Sequence, residues 1–492
     1  MPEQLSAPSL AERPEVAVSV EPRPVVQIEG LTVTYAAGET AVCDVSLSVR
    51  EGEFVLVTGA SGCGKTTLAR CLNGLIPHLI PCRVEGAIQV AGLNPLREGV
   101  HRMAAQVGMV FQVPEAQLFN LTVEEEVAFG CHNLGLGVDE TARRVEFALG
   151  AVGMGSYRRR ALHQLSGGEK QLVSIASVLA MQPRVMVLDE PLSNVDGKGV
   201  RRVMEVLTHL NQTMGMTVVL IEHRTHQVAE SASRVIVMDR GRIVMDGEPD
   251  LLRRESERLA ALGVRVPFVS EKAASGLRAA QSRKSADSIV SVRNVQFGYK
   301  GHKVLDGVSL EVGRGEFLAL VGDGGAGKTT LAHLIAGVLK PASGTIKIND
   351  NGHGAQKVGL LLQNPSDQLF CDTVEEEVRF GPENFGLPAD RVVEEVLQCT
   401  NLVRFRDREM QHLSRGQQLR LSLASVLALK PEILILDEPT LGQDWGHLIR
   451  FMEFVKDLQS TGATVVLITH DYDVAAKYAD RVVRLCDGRI AA

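Results

Sequence analysis

Long apolar runs are missing from this chain of 492 residues, since none approaches the ~18 residues that a membrane-spanning helix needs. The first residues also lack the basic start and apolar core of a signal peptide. Basic charge is not in excess either, because 52 lysines and arginines against 59 acidic residues give a net charge of −7. That balance does not favour nucleic acid or an anionic membrane surface as a direct partner. Any role at a membrane is therefore expected to come through another protein.

Paired cysteine motifs are missing as well. The eight cysteines form no C-x-x-C pair and no spacing typical of a disulfide framework. We therefore expect reduced, mostly buried thiols in a cytosolic protein.

What the sequence does contain is a repeat of whole-domain size. The strand-like stretch Val25–Tyr35 is paralleled by Ile289–Tyr299, and later motifs of the second half follow those of the first by 247–263 positions. Between the halves, residues with helical spacing lead into an Ala/Ser-rich tether. The predicted divisions are a proline-rich disordered leader (1–24), a first domain (25–250), a linker (251–288) and a second domain (289–492).

Each half carries the pattern G-x-x-x-x-G-K-[ST] between an apolar strand and a helix start, which is the context of a phosphate-binding loop. Glycines let successive backbone N–H groups point at anionic oxygens, and the positive end of the helix adds to that field. The lysine supplies a charge for the β- and γ-phosphates, and the threonine a hydroxyl ligand for Mg²⁺. The first loop comprises Gly59, Ala60, Ser61, Gly62, Cys63, Gly64, Lys65, Thr66 and Thr67. The second comprises Gly322, Asp323, Gly324, Gly325, Ala326, Gly327, Lys328, Thr329 and Thr330.

Two apolar strands end in a pair of carboxylates, Asp189-Glu190 and Asp437-Glu438. An aspartate at the carboxyl end of a strand beside a phosphate loop can hold Mg²⁺ through water, as a Walker-B aspartate does. The following glutamate is placed to orient or deprotonate an attacking water. An isolated Asp-Glu pair would often be a solvated strand end, but its position after a phosphate loop favours the functional interpretation.

The remaining pattern predicts an α/β fold in both halves. Apolar, β-branched runs such as Val185–Leu188 and Ile433–Leu436 are typical of buried parallel strands. Residues about 122–179 and 373–427 have helical patterns and interrupt the sheet.

Two further motifs extend the repeat. Ser166 and Ser414, in Leu-Ser-Gly-Gly-Glu and Leu-Ser-Arg-Gly-Gln, each lie 23 positions before the strand-end aspartate, and His223 and His470 follow it by 34 and 33. With both phosphate loops, these motifs make nearly the whole chain resemble the ATP-binding-cassette (ABC) ATPases. The resemblance implies tandem P-loop NTPase domains, each with a mainly parallel core, an antiparallel subdomain and a helical signature subdomain. It also implies a head-to-tail pair of cassettes that closes on two ATP molecules and reopens on their hydrolysis.

The same resemblance assigns residues to two composite sites for ATP and Mg²⁺. Site one comprises Lys65, Thr66, Gln112, Asp189, Glu190 and His223, closed by Ser414, Gly416 and Gln417. Site two comprises Lys328, Thr329, Gln363, Asp437, Glu438 and His470, closed by Ser166, Gly168 and Glu169. The metal ligands implied are Thr66, Gln112 and Asp189, and Thr329, Gln363 and Asp437. Tyr35 and Tyr299 match the position where the family stacks a ring on adenine, the alternative being an ordinary aromatic at a strand end.

Two positions depart from the family's signature. Arg415 replaces its first glycine, and Glu169 replaces its usual glutamine. Because both serines and the second glycines remain, we predict that both sites hydrolyse ATP.

The stretches that follow the two glutamines indicate a branch of the family. From Gln112 to Gly130 and from Gln363 to Gly381 they share Gln-Leu-Phe and Thr-Val-Glu-Glu-Glu-Val. These stretches, and Glu438–Asp444, resemble the ATPase subunits of energy-coupling-factor importers, which serve vitamins and transition-metal ions. Implied partners are an integral membrane coupling protein and a substrate-binding membrane subunit, with the ATPase peripheral on the cytoplasmic face. The fused cassettes resemble a subtype linked to hydroxymethylpyrimidine or thiamine, and cobalt and other vitamins remain open as solutes.

Two acidic triads, Glu124–Glu126 and Glu375–Glu377, lie in these stretches. In energy-coupling-factor importers the coupling protein docks through helices that carry an arginine, which the triads could receive. The alternative is that they are first-turn helix residues after Thr122 and Thr373, stabilised by the helix dipole.

Two other twin-cassette classes remain as alternatives. A soluble ribosome-associated ATPase would carry a long charged linker and basic surfaces, neither of which is found here. The ATPase of a sugar importer has a similar length, but one of its sites is often degenerate.

Cys63 allows two interpretations. Its place near Lys65 and a helix N-terminus favours a thiolate, and the alternative is an inert small filler of the loop.

Overall fold

The computed structural model of the protein describes residues 24–193, 195, 197–223, 225–265, 287–299, 302–348, 357–439 and 445–491. The predicted leader up to residue 23, the linker from 266 to 286 and positions 440–444 lie outside these ranges.

The first half contains nine described strands and ten described α-helices. The strands are β1 (Pro24–Tyr35), β2 (Thr40–Arg50), β3 (Phe54–Gly59), β4 (Cys82–Val90), β5 (Val107–Val110), β6 (Val185–Asp189), β7 (Thr217–Ile221), β8 (Arg234–Asp239) and β9 (Arg242–Gly247). The α-helices are Lys65–Leu72, Leu75–His78, Val100–Ala104, Val123–Asn133, Val138–Ala151, Gly167–Ala180, Gly197–Met214, Thr225–Val228, Leu251–Arg254 and Ser256–Ala261.

The second half repeats this order. Its described strands are β10 (Ser288–Tyr299), β11 (His302–Gly313), β12 (Phe317–Val321), β13 (Ser343–Ile348), β14 (Val358–Leu361), β15 (Ile433–Asp437), β16 (Thr464–Thr469), β17 (Arg481–Cys486) and β18 (Arg489–Ile490). Its described α-helices are Lys328–Ile335, Val374–Asn384, Ala389–Cys399, Arg415–Leu427, Trp445–Ser460 and Tyr472–Tyr478. Short 3-10 turns lie at Pro114–Ala116, Gly155–Tyr157, Leu162–Gln164, Pro365–Asp367, Val403–Phe405 and Met410–His412.

Each half is built from two sheets. A three-stranded antiparallel sheet has the order β2-β1-β4 in the first half and β11-β10-β13 in the second. A six-stranded sheet has the order β5-β6-β7-β3-β8-β9 and β14-β15-β16-β12-β17-β18, parallel except for its last pair. The predicted α/β class, with a parallel core and an antiparallel part, is confirmed.

The parallel core explains why its strands read as unbroken apolar runs. β3, β6 and β7 are buried along their whole length because both faces of the sheet are covered. One face packs on helices such as Gly167–Ala180 and Gly197–Met214, and the other on the antiparallel sheet and the helix Lys65–Leu72. β3 pairs with β7, and β7 with β6, all in parallel. Their carboxyl ends therefore meet at one edge, where the phosphate loop follows β3 and the strand-end acids follow β6. The second half repeats this arrangement with β12, β16 and β15.

The helices at the start of the predicted linker pack onto the first half. Leu252, Leu259 and Val264 are buried in the same hydrophobic core as the strands β6 and β7. The first body of structure thus extends at least to Val264. None of the helices in the described ranges combines the length and apolar composition that crossing a bilayer requires.

Candidate nucleotide sites

The two phosphate loops have the same conformation around their lysines. Lys65 Nζ donates hydrogen bonds to the carbonyl oxygens of Gly59 (2.9 Å) and Ala60 (2.8 Å), and the side chain is buried. Lys328 Nζ does the same to Gly322 (2.8 Å) and to the Asp323 carbonyl (3.0 Å). Each ammonium is thus held by the loop's own backbone, inside the curve where an anion would lie.

The glycine before each lysine is required by the backbone. Gly64 and Gly327 have φ of 102° and 99°, a region that side chains disfavour. A Cβ on Gly64 would lie 2.1 Å from the carbonyl oxygen of Ala41, so the strand β2 itself excludes a side chain there. This close packing fixes the start of the helix that points its N-terminus into the loop.

Glu190 is the centre of the first site. Its carboxylate accepts a hydrogen bond from Gln112 Nε2 (2.7 Å) and lies 2.7 Å from His223 Nε2. These three residues are far apart in sequence and come from the ends of neighbouring strands. Glu190 has φ of 49°, an unusual value for a side-chain residue and of the kind found where function demands an exact orientation.

Glu438 takes the same place in the second half, with the same φ of 49°. His470 Nδ1 lies 2.8 Å from its carboxylate, and Lys328 Nζ lies 3.7 Å from the other oxygen. Gln363, by contrast, is exposed and forms no hydrogen bond with Glu438 in the described structure. The predicted glutamate–histidine pair is therefore assembled in both halves, but the predicted glutamine only in the first.

The strand-end aspartates are buried beside the loops. Thr66 Oγ1 donates to Asp189 Oδ1 at 3.0 Å. Burial raises the pKa of Asp189, and it raises the pKa of Asp437 to about 6, against the opposing effect of the Thr329 hydroxyl. Two carboxyls held in an apolar setting would keep their negative charge most easily next to a cation.

The signature serines begin helices, as predicted from their motif. Ser166 and Ser414 are the N-caps of Gly167–Ala180 and Arg415–Leu427, and both form capping boxes. Glu169 Oε2 and Gln417 Oε1 each accept from the serine backbone N–H at 2.8 Å. Because either side chain completes such a box, Glu169 preserves the helix start despite departing from the family's glutamine. No hydrogen bond joins either serine to the opposite phosphate loop in the described ranges.

The two tyrosines differ in their surroundings. The Tyr35 hydroxyl lies 2.9 Å from Thr67 Oγ1, which brings the ring next to the first phosphate loop. Tyr299 is largely exposed and makes an edge contact with Phe297, with ring centroids 4.9 Å apart. Both rings stand at the end of the first strand of their half.

The structure decides between the two interpretations of Cys63. The side chain is buried, and burial raises the pKa of its thiol even though Lys65 Nζ lies 3.6 Å from Sγ. The expectation of a favoured thiolate is therefore wrong in direction, and the filler interpretation fits. A thiol that is buried and mostly protonated is a poor nucleophile.

N-ethylmaleimide is accordingly expected to react with Cys63 more slowly than with free cysteine at the same pH. The measurement is the time course of ATPase activity under the reagent, with Cys63→Ala as the control. Most of the activity should remain when half of the free cysteine has reacted. A rapid loss that ATP slows and that Cys63→Ala abolishes would contradict the assignment.

Glu126 and Glu377 are buried carboxylates whose role the sequence did not reveal. Glu126 Oε2 accepts from the backbone N–H of Phe119 (3.0 Å) and Asn120 (2.9 Å), and Glu377 Oε2 from that of Phe370 (3.0 Å). They tie the loop after each glutamine to the helix behind it. The spacing of a third glutamate four positions after the threonine cap is the signal that could have identified them.

Contacts also join the two halves near the sites. Lys198 Nζ lies 3.1 Å from Asp323 Oδ2 in the second phosphate loop. The Cβ of Ala60, in the first loop, lies beside Gly263, which in turn approaches Gly446.

Comparison with known proteins agrees with this arrangement. The profile of the ABC transporter family matches residues 42–193 and 305–441. An ABC transporter ATP-binding protein of Methanosarcina acetivorans is 41% identical, covering 96% of this chain and 86% of its own. One from Caldanaerobacter subterraneus subsp. tengcongensis is 34% identical, covering 94% and 90%. The solved structure of CbiO1 from Clostridium perfringens, described as part of the ABC transporter complex CbiONQ, is 31% identical over 50% of this chain and 96% of that one, with a TM-score of 0.44.

Two family matches in one chain, and relatives of similar length throughout, leave one conclusion. The chain belongs to the ABC transporter family and is an ATP-binding, ATP-hydrolysing protein with two cassettes in one polypeptide.

Proposed function

We propose that this ATPase drives an energy-coupling-factor importer for a vitamin, a vitamin precursor or a metal ion. The proposal starts from the similar stretches Gln112–Gly130 and Gln363–Gly381, which are identical at 13 of 19 positions. What carries it is the surface that these stretches form, because it is the same in both halves and is apolar, exposed and edged by charge.

That surface is an aromatic groove. Phe119 and Phe370 are each 63% exposed. Phe119 packs edge-to-face on Phe129 and Phe370 on Phe380, with ring centroids 4.6 and 4.7 Å apart. In the second half the groove has a volume of about 360 Å³ and is lined by Phe370, Cys371, Asp372, Glu376, Arg379, Phe380 and Glu383. Exposed aromatic pairs of this kind mark surfaces that another protein covers.

A short amphipathic helix of a membrane coupling protein fits such a groove. Its apolar face would cover the phenylalanines, and its arginine would approach the exposed carboxylates at the rim, such as Asp372. The two grooves in one chain would receive two such helices. The ATPase would then be a peripheral protein on the cytoplasmic face of the membrane.

The carboxylates of the acidic triads already have partners within the chain. They are therefore less available to bind an arginine of the coupling protein than the sequence suggested. Glu125 and Glu376 complete capping boxes with Thr122 and Thr373, as the alternative interpretation predicted. The first members are engaged too, because Arg158 donates to Glu124 and Arg379 to Glu375, both at 2.6 Å. The third members are the buried Glu126 and Glu377. An incoming arginine would therefore share these carboxylates or use others on the rim.

At the nucleotide sites, we propose that both composite sites hydrolyse ATP with the residues assigned above. Glu190 and Glu438 would orient the attacking water and accept its proton, and His223 and His470 would hold those carboxylates in place. The signature serines, at helix N-termini, would donate to the γ-phosphate bound by the opposite cassette. Lys65 and Lys328 would leave the loop carbonyls for the phosphate oxygens.

The residues also fit Mg²⁺ as the ion that accompanies ATP. Asp437 Oδ1 is buried and has no hydrogen-bond partner among the described residues. Aspartate carboxylates and threonine hydroxyls are ligands of the type that Mg²⁺ takes, so Thr66 and Asp189, and Thr329 and Asp437, would hold it. When bound, the ion neutralises phosphate charge.

A pull-down of the full chain from detergent-solubilised membranes tests the proposal. Co-purification of a hydrophobic coupling subunit and a small substrate-binding membrane subunit is expected. Recovery with the permeases of a sugar importer, or in ribosomal fractions without membrane subunits, would contradict it and favour one of the other twin-cassette classes.

Negative charge introduced into the aromatic grooves should break the association with the membrane subunits. The double variant F119E/F370E is expected to lose most membrane co-sedimentation, because a carboxylate in an aromatic contact costs desolvation and removes the apolar anchor. The hydrogen bonds to Glu126 and Glu377 come from the backbone N–H groups of residues 119 and 370 and not from the phenylalanine side chains. The loops that contain these residues should therefore stay in place. ATPase activity of the purified chain should remain.

The matched control is Val338→Glu, which adds the same charge at a site that is 65% exposed outside the groove. It should sediment with membranes like the parent. Equal sedimentation of F119E/F370E and the control would rule out the grooves as the docking surface.

A further inference from the structure

Arg265, just beyond the last helix of the first half, reaches into the second half. Its guanidinium donates to both oxygens of Asp471 (2.8 and 2.9 Å) and to Asp473 Oδ2 (2.9 Å). It also lies over the ring of Trp445, with 5.1 Å to the centroid. The side chain is 13% exposed and that of Asp471 is 7% exposed. A buried guanidinium shared by two carboxylates and an indole is a fixed contact and not a surface ion pair.

The same residue is tied to the first half through its backbone. Thr225 Oγ1 donates to the carbonyl oxygen of Arg265 at 2.6 Å. Two positions earlier, a Cβ added to Gly263 would lie 3.7 Å from Ala60 Cβ of the first phosphate loop and 3.9 Å from Gly446 Cα of the second half. The segment 262–265 therefore touches nucleotide-binding elements of one half and structural elements of the other.

The positions of its partners give this contact a functional meaning. Asp471 directly follows His470, caps the helix Tyr472–Tyr478 and accepts from the backbone N–H of Asp473 and Val474. Thr225 lies two positions after His223. Arg265 thus joins the loop that carries one site's histidine to the loop that carries the other's, and each histidine contacts the glutamate of its own site.

We propose that Arg265 is a positioning residue that couples the two ATP sites. It does so by holding the loops that carry His223 and His470 in a fixed position relative to each other. The proposal rests on the proposed roles of His223 and His470, and it does not depend on which membrane partner the protein has. When ATP moves one histidine loop, the fork to Asp471 and Asp473 transmits the shift to the other. Binding at the two sites is then cooperative even without a membrane partner.

A purely structural role is the alternative, and it makes a different prediction. If Arg265 only fastens the segment to the second half, its loss lowers thermal stability and leaves the relation between the two sites unchanged. The deciding measurement must therefore report coupling and not folding.

The test uses the full chain with E190Q/E438Q, in which hydrolysis is blocked and ATP binding is expected to persist. Equilibrium dialysis with labelled ATP and Mg²⁺ gives the affinities of the two binding steps. The second ATP is expected to bind ~5-fold or more tightly than the first in this parent. In R265K, which keeps the charge but cannot form the planar fork, and in D473N, which removes the negative charge from one arm, the ratio should fall to about 1.

The control is R254A, because Arg254 is an exposed arginine of the same segment that pairs only locally with Asp250. It should keep the parent's cooperativity. The proposal stands only if both R265K and D473N lose coupling while R254A retains it; undiminished coupling in either variant, or independent binding in the parent, overturns it. All measurements are made without membranes, so failure here leaves the importer proposal untouched.

Trp445 supplies an internal check because it is the only tryptophan in the chain. Its emission in the nucleotide-free protein should change in R265K, since lysine keeps the charge but removes the planar guanidinium that lies over the ring. Added ATP should change the emission of the parent and of R254A. An emission unaffected by R265K would show that the contact does not exist in solution, which also overturns the proposal.

Discussion

Replacing Glu190 with glutamine is expected to lower the kcat for ATP hydrolysis by about 10²–10⁴-fold while ATP still binds. Glutamine keeps the size of the side chain, and its amide oxygen can still accept from Gln112, but its NH₂ group cannot accept a hydrogen bond from His223 and the side chain cannot take a proton from water. The substitution changes no residue of the phosphate loop, so the affinity for ATP should change little. Glu438→Gln is expected to have the same effect in the second site.

Each single variant is expected to lose nearly all activity, although the chain keeps one intact glutamate. In the proposed cycle the two cassettes open and close as one unit, so a nucleotide that cannot be hydrolysed in one site would hold the other closed. The measurement is steady-state phosphate release for both single variants and the double. Glu205→Gln, an exposed glutamate on the helix Gly197–Met214, is the control and should match the parent.

One result would contradict the proposal that both sites hydrolyse ATP. If Glu438→Gln left the rate unchanged while Glu190→Gln abolished it, the second site would bind ATP without hydrolysing it. The structure gives a reason to look for such an inequality, since Gln112 is bonded to Glu190 while Gln363 is exposed. The proposed closing motifs also differ in sequence, because Glu169 stands where the second half has Gln417, and Arg415 where the first half has Gly167.

The sequence predicted the parts of these sites that depend on strand ends. A phosphate loop after β3 and an Asp-Glu pair after β6 must share an edge in a parallel sheet, so their meeting follows from the pattern. The capping boxes at Ser166 and Ser414 follow equally from local spacing. These features are visible in sequence because neighbours along the chain, or the common direction of strands, determine them.

Other features could not be predicted because they depend on how loops pack. Gln112 and Gln363 have almost the same sequence around them, yet only Gln112 turns inward to its glutamate. The sequence around Cys63 allows both a thiolate and an inert filler, and only the folded surroundings show that burial outweighs Lys65 and raises the pKa of the thiol. Arg265 lies in a stretch that sequence alone assigned to a linker, and the carboxylates that bind its guanidinium are 206 and 208 positions away. Burial and long-range pairing are set by the folded surroundings, which the local pattern does not contain.

The second large effect is expected from the lysines. The double variant K65M/K328M should reduce ATP hydrolysis to background, because each lysine is the cation that the loop places at the β- and γ-phosphates. Methionine fills the space of the buried stem, so the loops should keep their shape without the charge. In the absence of phosphate, each ammonium is held by two backbone carbonyls, so the substitution also leaves those carbonyl oxygens without this donor.

The single variant K328M is also expected to lower the thermal stability of the protein. Lys328 faces Glu438 at 3.7 Å, with both side chains nearly buried, so K328M leaves that carboxylate without its nearest cation. Thermal unfolding should therefore start at a lower temperature in K328M than in a variant of an exposed lysine such as Lys340→Met, whereas the ATPase assay reports catalysis. Phosphate release by K65M/K328M at the parent's rate, with the membrane subunits present, would mean that neither loop binds the phosphates that are cleaved. Because every role assigned to Glu190, Glu438 and the signature serines is defined by its distance from those phosphates, that single result would remove all of them together.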